Sequence, residues 1–284
     1  MSAITPAGRP SRPLRRFFRN AGGMIGLVLL ALLVLVAALA PLISGSPVEQ
    51  EIANRLKPPG AEHLLGTDQL GRDVWARVAN GAAISLRVGF AVVVLSVVIG
   101  VAMGLLAGTL GGAWDNLLMR VTDIFFAFPS LILAMAIAAA LGPNLTNTVI
   151  AVALVSWPIY ARLVRANVMA LREREFVEAA RALGGSRLRI MFRHLFPNTL
   201  TPIFVQASFD VGAAILTAAG LSFIGFGAQP PIPEWGAMVS ETRNYIAEAW
   251  WAPTFPAVGI LLTVLAFNLL GDALRDVLDP RGRD

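Results

Sequence analysis

Glu175-Phe176-Val177-Glu178-Ala179-Ala180-Arg181-Ala182-Leu183-Gly184-Gly185 is the stretch from which the rest of the chain can be read. It sits in a basic insert, residues 162–197, between two long apolar segments. Phe176, Ala180 and Leu183 recur at i, i+4 and i+7, which places them on one helical face. Ala179 and Ala180 are small, so another surface can come close to the backbone there. Gly184-Gly185 supplies a stop, because glycine tolerates positive φ at a helix C-terminus. Ser186 can cap a second short helix, and Pro197 marks where the next apolar segment begins. Arg174, Glu178 and Arg181 can pair along the helix, at about 0.2–0.5 kcal/mol per pair. Two readings stand side by side. One is an amphipathic helix lying on a membrane surface, held there by arginines. The other is a lever that fits a groove on a partner outside the membrane.

The segments around the insert decide between a soluble and a membrane protein. The chain is 56% hydrophobic and only 14% charged, against about 25% charged in soluble domains. Six segments reach the 17–25 apolar residues needed to cross a bilayer: about 22–43, 88–110, 117–141, 145–161, 199–227 and 254–271. The expected fold is therefore an all-α integral membrane protein with six transmembrane helices. Residues 1–21 form an N-terminal arm, and 44–83 form a long outer loop. Ala38-Leu39-Ala40 resembles a signal cleavage site, but the apolar stretch exceeds that of a signal peptide and Pro41 follows directly.

Basic residues set the orientation. Arg9, Arg12, Arg15, Arg16 and Arg19 precede the first span. Arg162, Arg165, Arg172, Arg174, Arg181, Arg187, Arg189 and Arg193 fall in the insert, and Arg275, Arg281 and Arg283 near the C-terminus. Outer segments hold Arg55, Lys57, Arg72, Arg77 and Arg243. Both termini and the insert are therefore expected on the cytoplasmic side. The pI near 10.8 follows from this topology and not from nucleic-acid binding. Trp75, Trp114, Trp235, Trp250 and Trp251 fall near span ends, as an interfacial aromatic belt would, with Trp157 in mid-span. In the outer loop Thr67 or Asp68 can cap a short helix. Leu70, Val74 and Val78 share its face and Gly81 can end it. That helix either lies on the outer surface or docks an outer partner.

Catalytic chemistry is missing. There is no cysteine, and the two histidines, His63 and His194, lie far apart, so no thiolate or histidine metal site is expected. The sole lysine, Lys57, sits in Arg55-Leu56-Lys57-Pro58-Pro59, so no P-loop exists. No nucleophile–base pair is visible either. The chain is expected to be neither an ATPase nor another enzyme, with no catalytic, metal or cofactor-binding residues.

Charged residues inside spans are costly unless they face protein or water. Asp210 falls near the middle of the fifth span. Gln206 one turn before it and Thr217 two turns after it complete a polar stripe. The stripe either lines a translocation path or packs against a partner subunit. Arg120 and Asp123 can neutralise each other on the third span. Asn268, Asp272, Arg275, Asp276 and Asp279 form a polar end to the sixth.

Glu178-Ala179-Ala180, three residues, Gly184 and a stretch ending in Pro197 resemble the EAA loop of ABC importer permeases. Here His194-Leu195-Phe196-Pro197 stands where the general pattern has Ile, one residue, then Leu-Pro. Four further segments are similar to the peptide/nickel branch. They are Gly66-Thr67-Asp68-Gln69-Leu70-Gly71-Arg72-Asp73; Met119-Arg120-Val121-Thr122-Asp123 with Pro129-Ser130; Leu221-Ser222-Phe223-Ile224-Gly225-Phe226-Gly227; and 268–276 with Leu278-Asp279-Pro280. Five segments in this order resemble the C-type permease of dipeptide, oligopeptide and nickel importers.

The resemblance implies a type I ABC importer permease fold in a bacterial cytoplasmic membrane. It implies a homologous second permease, two ATPase subunits that bind ATP and Mg, and an extracytoplasmic solute-binding protein. Phe176, Glu178, Ala179, Ala180, Leu183 and Gly184 would couple to the ATPases. Gln206, Asp210 and Thr217 would line the path. Peptides are the expected cargo, with nickel or another small solute as the alternative. A secondary transporter would call for inverted repeats or paired broken helices, and no convincing internal repeat is visible. A membrane enzyme would need catalytic groups clustered at one interface.

Overall fold

A computed structural model describes residues 17–278. Arg9, Arg12, Arg15, Arg16, Asp279, Pro280, Arg281 and Arg283 lie outside the described residues. The described chain is a bundle of helices, and its longest members set the frame. They are α1 (Ala21–Ile43), α2 (Val74–Leu110), α3 (Gly112–Phe126), α4 (Ser130–Leu141), α5 (Leu145–Arg172), α6 (Glu175–Ala182), α7 (Arg187–Ile190), α8 (Phe196–Ile224), α9 (Trp235–Thr242) and α10 (Trp251–Leu278). Five helices are long and apolar enough to cross a membrane. The count is six if the bent pair α3–α4 makes one span. One end of the bundle carries the 44–73 loop and α9, and is called the loop end. The opposite end carries α6 and α7, and is called the basic end.

Helix α2 replaces the short outer helix expected before the second span. It starts at Val74, where the Asp73 carboxylate accepts from the Ala76 N–H at 2.8 Å. It does not stop at Gly81. A Cβ there would come within 2.3 Å of the Pro233 carbonyl and 3.1 Å of the Trp235 ring. Gly81 is thus a contact point and not a terminator, and Leu70 lies outside the helix. With 37 residues at 1.5 Å each, α2 is about 55 Å long, well beyond the ~30 Å hydrocarbon layer.

Close packing of α2 on α5 rests on glycines four residues apart. A Cβ at Gly100 or Gly104 would lie 2.5 Å from the carbonyls of Trp157 and Ala161, and one at Gly108 would lie 2.7 Å from Val168. Small residues at this spacing let two backbones touch, which is how helices associate where no water is expelled. Helix α5 also runs on past Ala161 to Arg172, so the first part of the 162–197 insert is helical and continuous with its span.

The third span is not one straight helix. Helices α3 and α4 meet at 91° across a break of a few residues. Pro129 lacks the N–H a helix needs and pushes Phe128 out of the helical region. Arg120 and Asp123 do not pair. Asp123 instead takes Arg162 of α5 at 2.6 Å, and Arg162 also covers the Phe126 ring at 4.0 Å.

Trp235 and Trp251 leave the expected belt. They are 1% and 6% exposed, and their ring N–H groups donate to the carbonyls of Val78 and Thr67, each at 3.0 Å. Trp114 and Trp250 are exposed, as a belt requires. Apolar side chains such as Ile25, Leu32 and Leu35 on α1 are about half exposed. An apolar face of that extent belongs in lipid or against another chain. At the basic end, Asn20 donates to Asp276 at 3.1 Å and ties the start of α1 to the end of α10.

Candidate functional site

Helix α6 spans Glu175–Ala182 and ends as its glycines require. Gly184 takes φ +79°. The Gly184 N–H donates to the Arg181 carbonyl at 2.9 Å, and the Gly185 N–H to the Ala180 carbonyl at 3.0 Å. These two bonds are the Schellman pattern. Ser186 caps α7 by accepting from the Arg189 N–H at 3.3 Å. Pro197 cannot donate back to Arg193, and a single π turn, Met191–Leu195, precedes it.

The inward face of α6 is set by a residue the periodicity did not single out. Val177 is fully buried among Tyr160, Val164 and Val168 of α5 and Ile190, Met191 and Leu195 beyond it. Ala180 packs at the edge of the same cluster. Phe176, Ala180 and Leu183 are therefore not one continuous buried face. Phe176 is 43% and Leu183 89% exposed, and Glu178, Ala179 and Gly184 are exposed beside them. Arg174, Glu178 and Arg181 form no ion pair with one another. Val177 fixes α6 to the bundle, while an apolar pair on its other side stands free.

Within the bundle, Gln206 donates to Asp210 at 3.0 Å, as the stripe on α8 predicts. Asp210 and Thr217 line a cavity of about 200 Å³, whose other polar walls are Ser96 of α2, Ser130 of α4, and Ser156 and Tyr160 of α5. Gln206 stands behind Asp210 and is not part of the wall. Ser96, Ser156 and Thr217 satisfy their hydroxyls on backbone carbonyls. The Tyr160 hydroxyl and the second Asp210 oxygen are buried with no hydrogen-bond partner. The cavity is therefore a polar chamber whose Tyr160 hydroxyl and Asp210 carboxylate face one another. Sequence reasoning missed Tyr160. Its signal was a rare tyrosine inside an apolar segment.

The loop end explains the Gly66–Asp73 motif. The Asp68 carboxylate accepts from the backbone N–H groups of Leu70 and Arg72, at 2.8 and 3.0 Å, and from Arg72 Nε at 2.6 Å. Arg77 Nη1 lies 3.4 Å from it. Arg72 and Arg77 both donate to Glu241 of α9, at 2.5 and 3.1 Å. Asp68, Arg72 and Arg77 are almost fully buried, so each charge depends on the others. Gly71 is required: a Cβ there would lie 1.8 Å from the Glu51 carbonyl. Nearby, Glu234 caps α9 with both oxygens, accepting from Gly236 and Ala237 N–H at 2.9 Å. Burial raises its pKa from the ordinary value, and these N–H groups oppose the rise.

A helical bundle with apolar outer faces, a buried polar chamber and an exposed basic end defines a multi-pass membrane transport component. Comparison with known proteins narrows this. The family model for the inner membrane component of binding-protein-dependent transport systems matches residues 100–284. The one for the N-terminal transmembrane domain of oligopeptide transport permease C matches residues 12–59. The chain belongs to this family of binding-protein-dependent transport permeases. It is 47% identical over 281 residues to the dipeptide transport system permease protein DppC of Alkalihalophilus pseudofirmus, covering 99% of this chain and 91% of that protein. It is 48% identical over 269 residues to the glutathione transport system permease protein GsiD of Shigella flexneri, covering 94% and 89%. Among solved structures, a chain of the MetNI methionine ABC transporter in an inward-facing conformation superposes with a TM-score of 0.58. That match has 20% identity and covers 72% of this chain and 97% of that one. The fold is that of a type I ABC importer permease, and these relatives are transport subunits, not enzymes.

Proposed function

We propose that the chain is a permease subunit of an ATP-driven peptide importer in a bacterial cytoplasmic membrane. The observation that carries this is the division of α6, with Val177 sealed into the bundle and Phe176 and Leu183 presented outward. Such a helix is both held and free to be held. The arginine-rich end with α6 faces the cytoplasm, in line with the positive-inside rule. Two ATPase subunits, which bind ATP and Mg, grip the Phe176–Leu183 surface. A homologous second permease completes the pathway, and a solute-binding protein delivers cargo to the loop end.

In this reading ATPase closure displaces α6. Val177 transmits the movement to α5 and, through Leu195 and Ile203, to α8. Those two helices carry Tyr160, Asp210 and Thr217, so the chamber alternates its access. Asp210 offers a carboxylate to the ammonium group that every peptide carries, with Gln206 holding the other oxygen. The relatives' names, dipeptide and glutathione transport permeases, favour peptides over nickel.

Uptake of labelled peptides and of nickel ion, in a strain lacking the gene with and without complementation, tests the cargo. Restored peptide uptake is expected. Restored nickel uptake alone would reassign the substrate, and restoration of neither would overturn both. Gly184→Leu forces a side chain into positive φ, and is expected to uncouple ATP hydrolysis from uptake or release the ATPases. Normal uptake with ATPases retained would sink the coupling role. Asp210→Asn should change uptake kinetics more than assembly; the reverse would make it a packing residue.

A further inference from the structure

Two cavities follow one another along α2 toward the basic end, one apolar and one lined by arginines. The first is an apolar groove of about 460 Å³ between α2 and the start of α8, lined by residues such as Val98, Leu106, Phe192, Leu200 and Phe204. The second is a cavity of about 370 Å³ bearing Arg172, Arg181 and Arg187, with Thr109 on its wall. Their lining residues are chain neighbours on both sides. On α2, Leu105 and Leu106 of the groove are followed one turn later by Thr109 and Leu110 of the arginine cavity. Opposite, Met191 and Phe196 of the groove neighbour Ile190 and Leu195. From Val97 to Leu110 the α2 wall runs about 20 Å, enough for one leaflet's hydrocarbon depth of about 15 Å.

The arginines have work left to do. Among the described residues none of the three has a carboxylate within ion-pair distance, whereas Arg162 and Arg165 each have one. Arg172 donates to the Gly108 carbonyl at 2.8 Å, which leaves its other donors free. The Thr109 hydroxyl oxygen is buried without a partner. Three helices, α2, α5 and α6, end here, and each C-terminus contributes roughly half a negative charge. Three guanidinium groups outweigh that sum, so the cavity remains net positive.

We infer that this composite site holds one anionic glycerophospholipid of the inner leaflet, its phosphate on Arg181, Arg187 and Thr109 and an acyl chain along the α2–α8 groove. Charge complementarity selects the phosphate, and continuity with an apolar groove selects a lipid over free phosphate. Because Arg181 lies on α6, the lipid clamps the coupling helix to the bundle. The inference rests on the orientation proposed above.

Native mass spectrometry of the full-length chain, purified with its accompanying subunits in nanodiscs containing phosphatidylglycerol and phosphatidylethanolamine, tests it. One phosphatidylglycerol should stay bound. The double variant R181Q/R187Q should lower its retention about tenfold or more, as removal of two basic contacts implies. R174Q/R189Q removes the same charge outside the cavity and should leave retention unchanged. L200W fills the groove with every arginine intact and should also expel the lipid. Equal retention in wild type and R181Q/R187Q would overturn the site. So would displacement by excess inorganic phosphate, which would mark a free-anion site. Loss of subunit pairing in L200W without loss of lipid would mark the groove as a helix interface, and equally overturn it. Retention is read without transport, so failure here and failure of the importer reading are separable.

Discussion

The two ends of the molecule handle charge in opposite ways. At the loop end Asp68, Arg72, Arg77 and Glu241 form two negative and two positive charges in mutual contact, with Asp68 and both arginines buried and Glu241 partly so. At the basic end Arg172, Arg181 and Arg187 face a cavity with no carboxylate among the described residues, and Leu183 stands almost fully in the open. One end is finished by the chain itself. The other leaves three arginines without a carboxylate partner among the described residues. The loop end is braced by ion pairs between distant segments, although Arg77 Nη1 and Glu241 Oε1 keep no hydrogen-bond partner there.

The largest effect should come from breaking the finished end. Arg72→Ala leaves Asp68 and Glu241 buried beside a single arginine, and should destabilise the chain by about 3–5 kcal/mol. Thermal unfolding in nanodiscs would show it, and an unchanged midpoint would mean the network carries no stability. Next comes the α2–α5 seam. Gly104→Leu drives a side chain into the Ala161 carbonyl and Val164 and should cost at least the 1–3 kcal/mol typical of overpacking. Cysteine crosslinking between α2 and α5 would reveal the separation, and native crosslinking efficiency would refute it.

The comparison sharpens on α6, where a buried and an exposed apolar residue lie six positions apart. Val177→Ala removes two methyl groups from the buried cluster, and should cost about 1.5 kcal/mol at 0.8 per group. It should also raise hydrogen exchange across Glu175–Ala182. Exchange like wild type would show that α6 is held by something else. Leu183→Ala is the smallest change to the isolated chain, within about 0.5 kcal/mol as for surface positions. Co-purification of the ATPases should nonetheless fall. An intact complex would remove Leu183 from the coupling surface.

The sequence and the structure agree where one local rule dominates. Uninterrupted apolar length gave α1, and Gly184-Gly185, Ser186 and Pro197 marked the α6–α8 boundaries, because each acts through its own backbone. The polar stripe of Gln206 and Asp210 is legible from i,i+4 spacing on a single helix, and the structure adds the bond between them. Contacts between distant elements were not legible. The outer helix was ended at Gly81 because a glycine looks like a stop from within one segment. Only Pro233 and Trp235, far along the chain, show that it is a packing site. Asp123 was paired with the nearest arginine in sequence, whereas the bend at Pro129 and the long α5 bring Arg162 to it. Tyr160 belongs to another span and joins Asp210 only in three dimensions. Val177 falls outside the i, i+4, i+7 series of Phe176, Ala180 and Leu183, and periodicity cannot tell a face turned to the bundle from one turned to a partner.

The buried charge network also bears on how the chain is made. Arg72 and Glu241 are 169 residues apart, so both arginines are synthesised and α2 inserted long before their shared carboxylate exists. Until α9 arrives, Asp68 alone must balance two guanidinium groups. Closure of the network therefore waits on α9, which follows α8 in the chain. A chain that stops before Glu241 leaves Arg72 and Arg77 with the Asp68 carboxylate alone between them. The same four residues that brace the loop end are thus a contact the chain can complete only late in its synthesis.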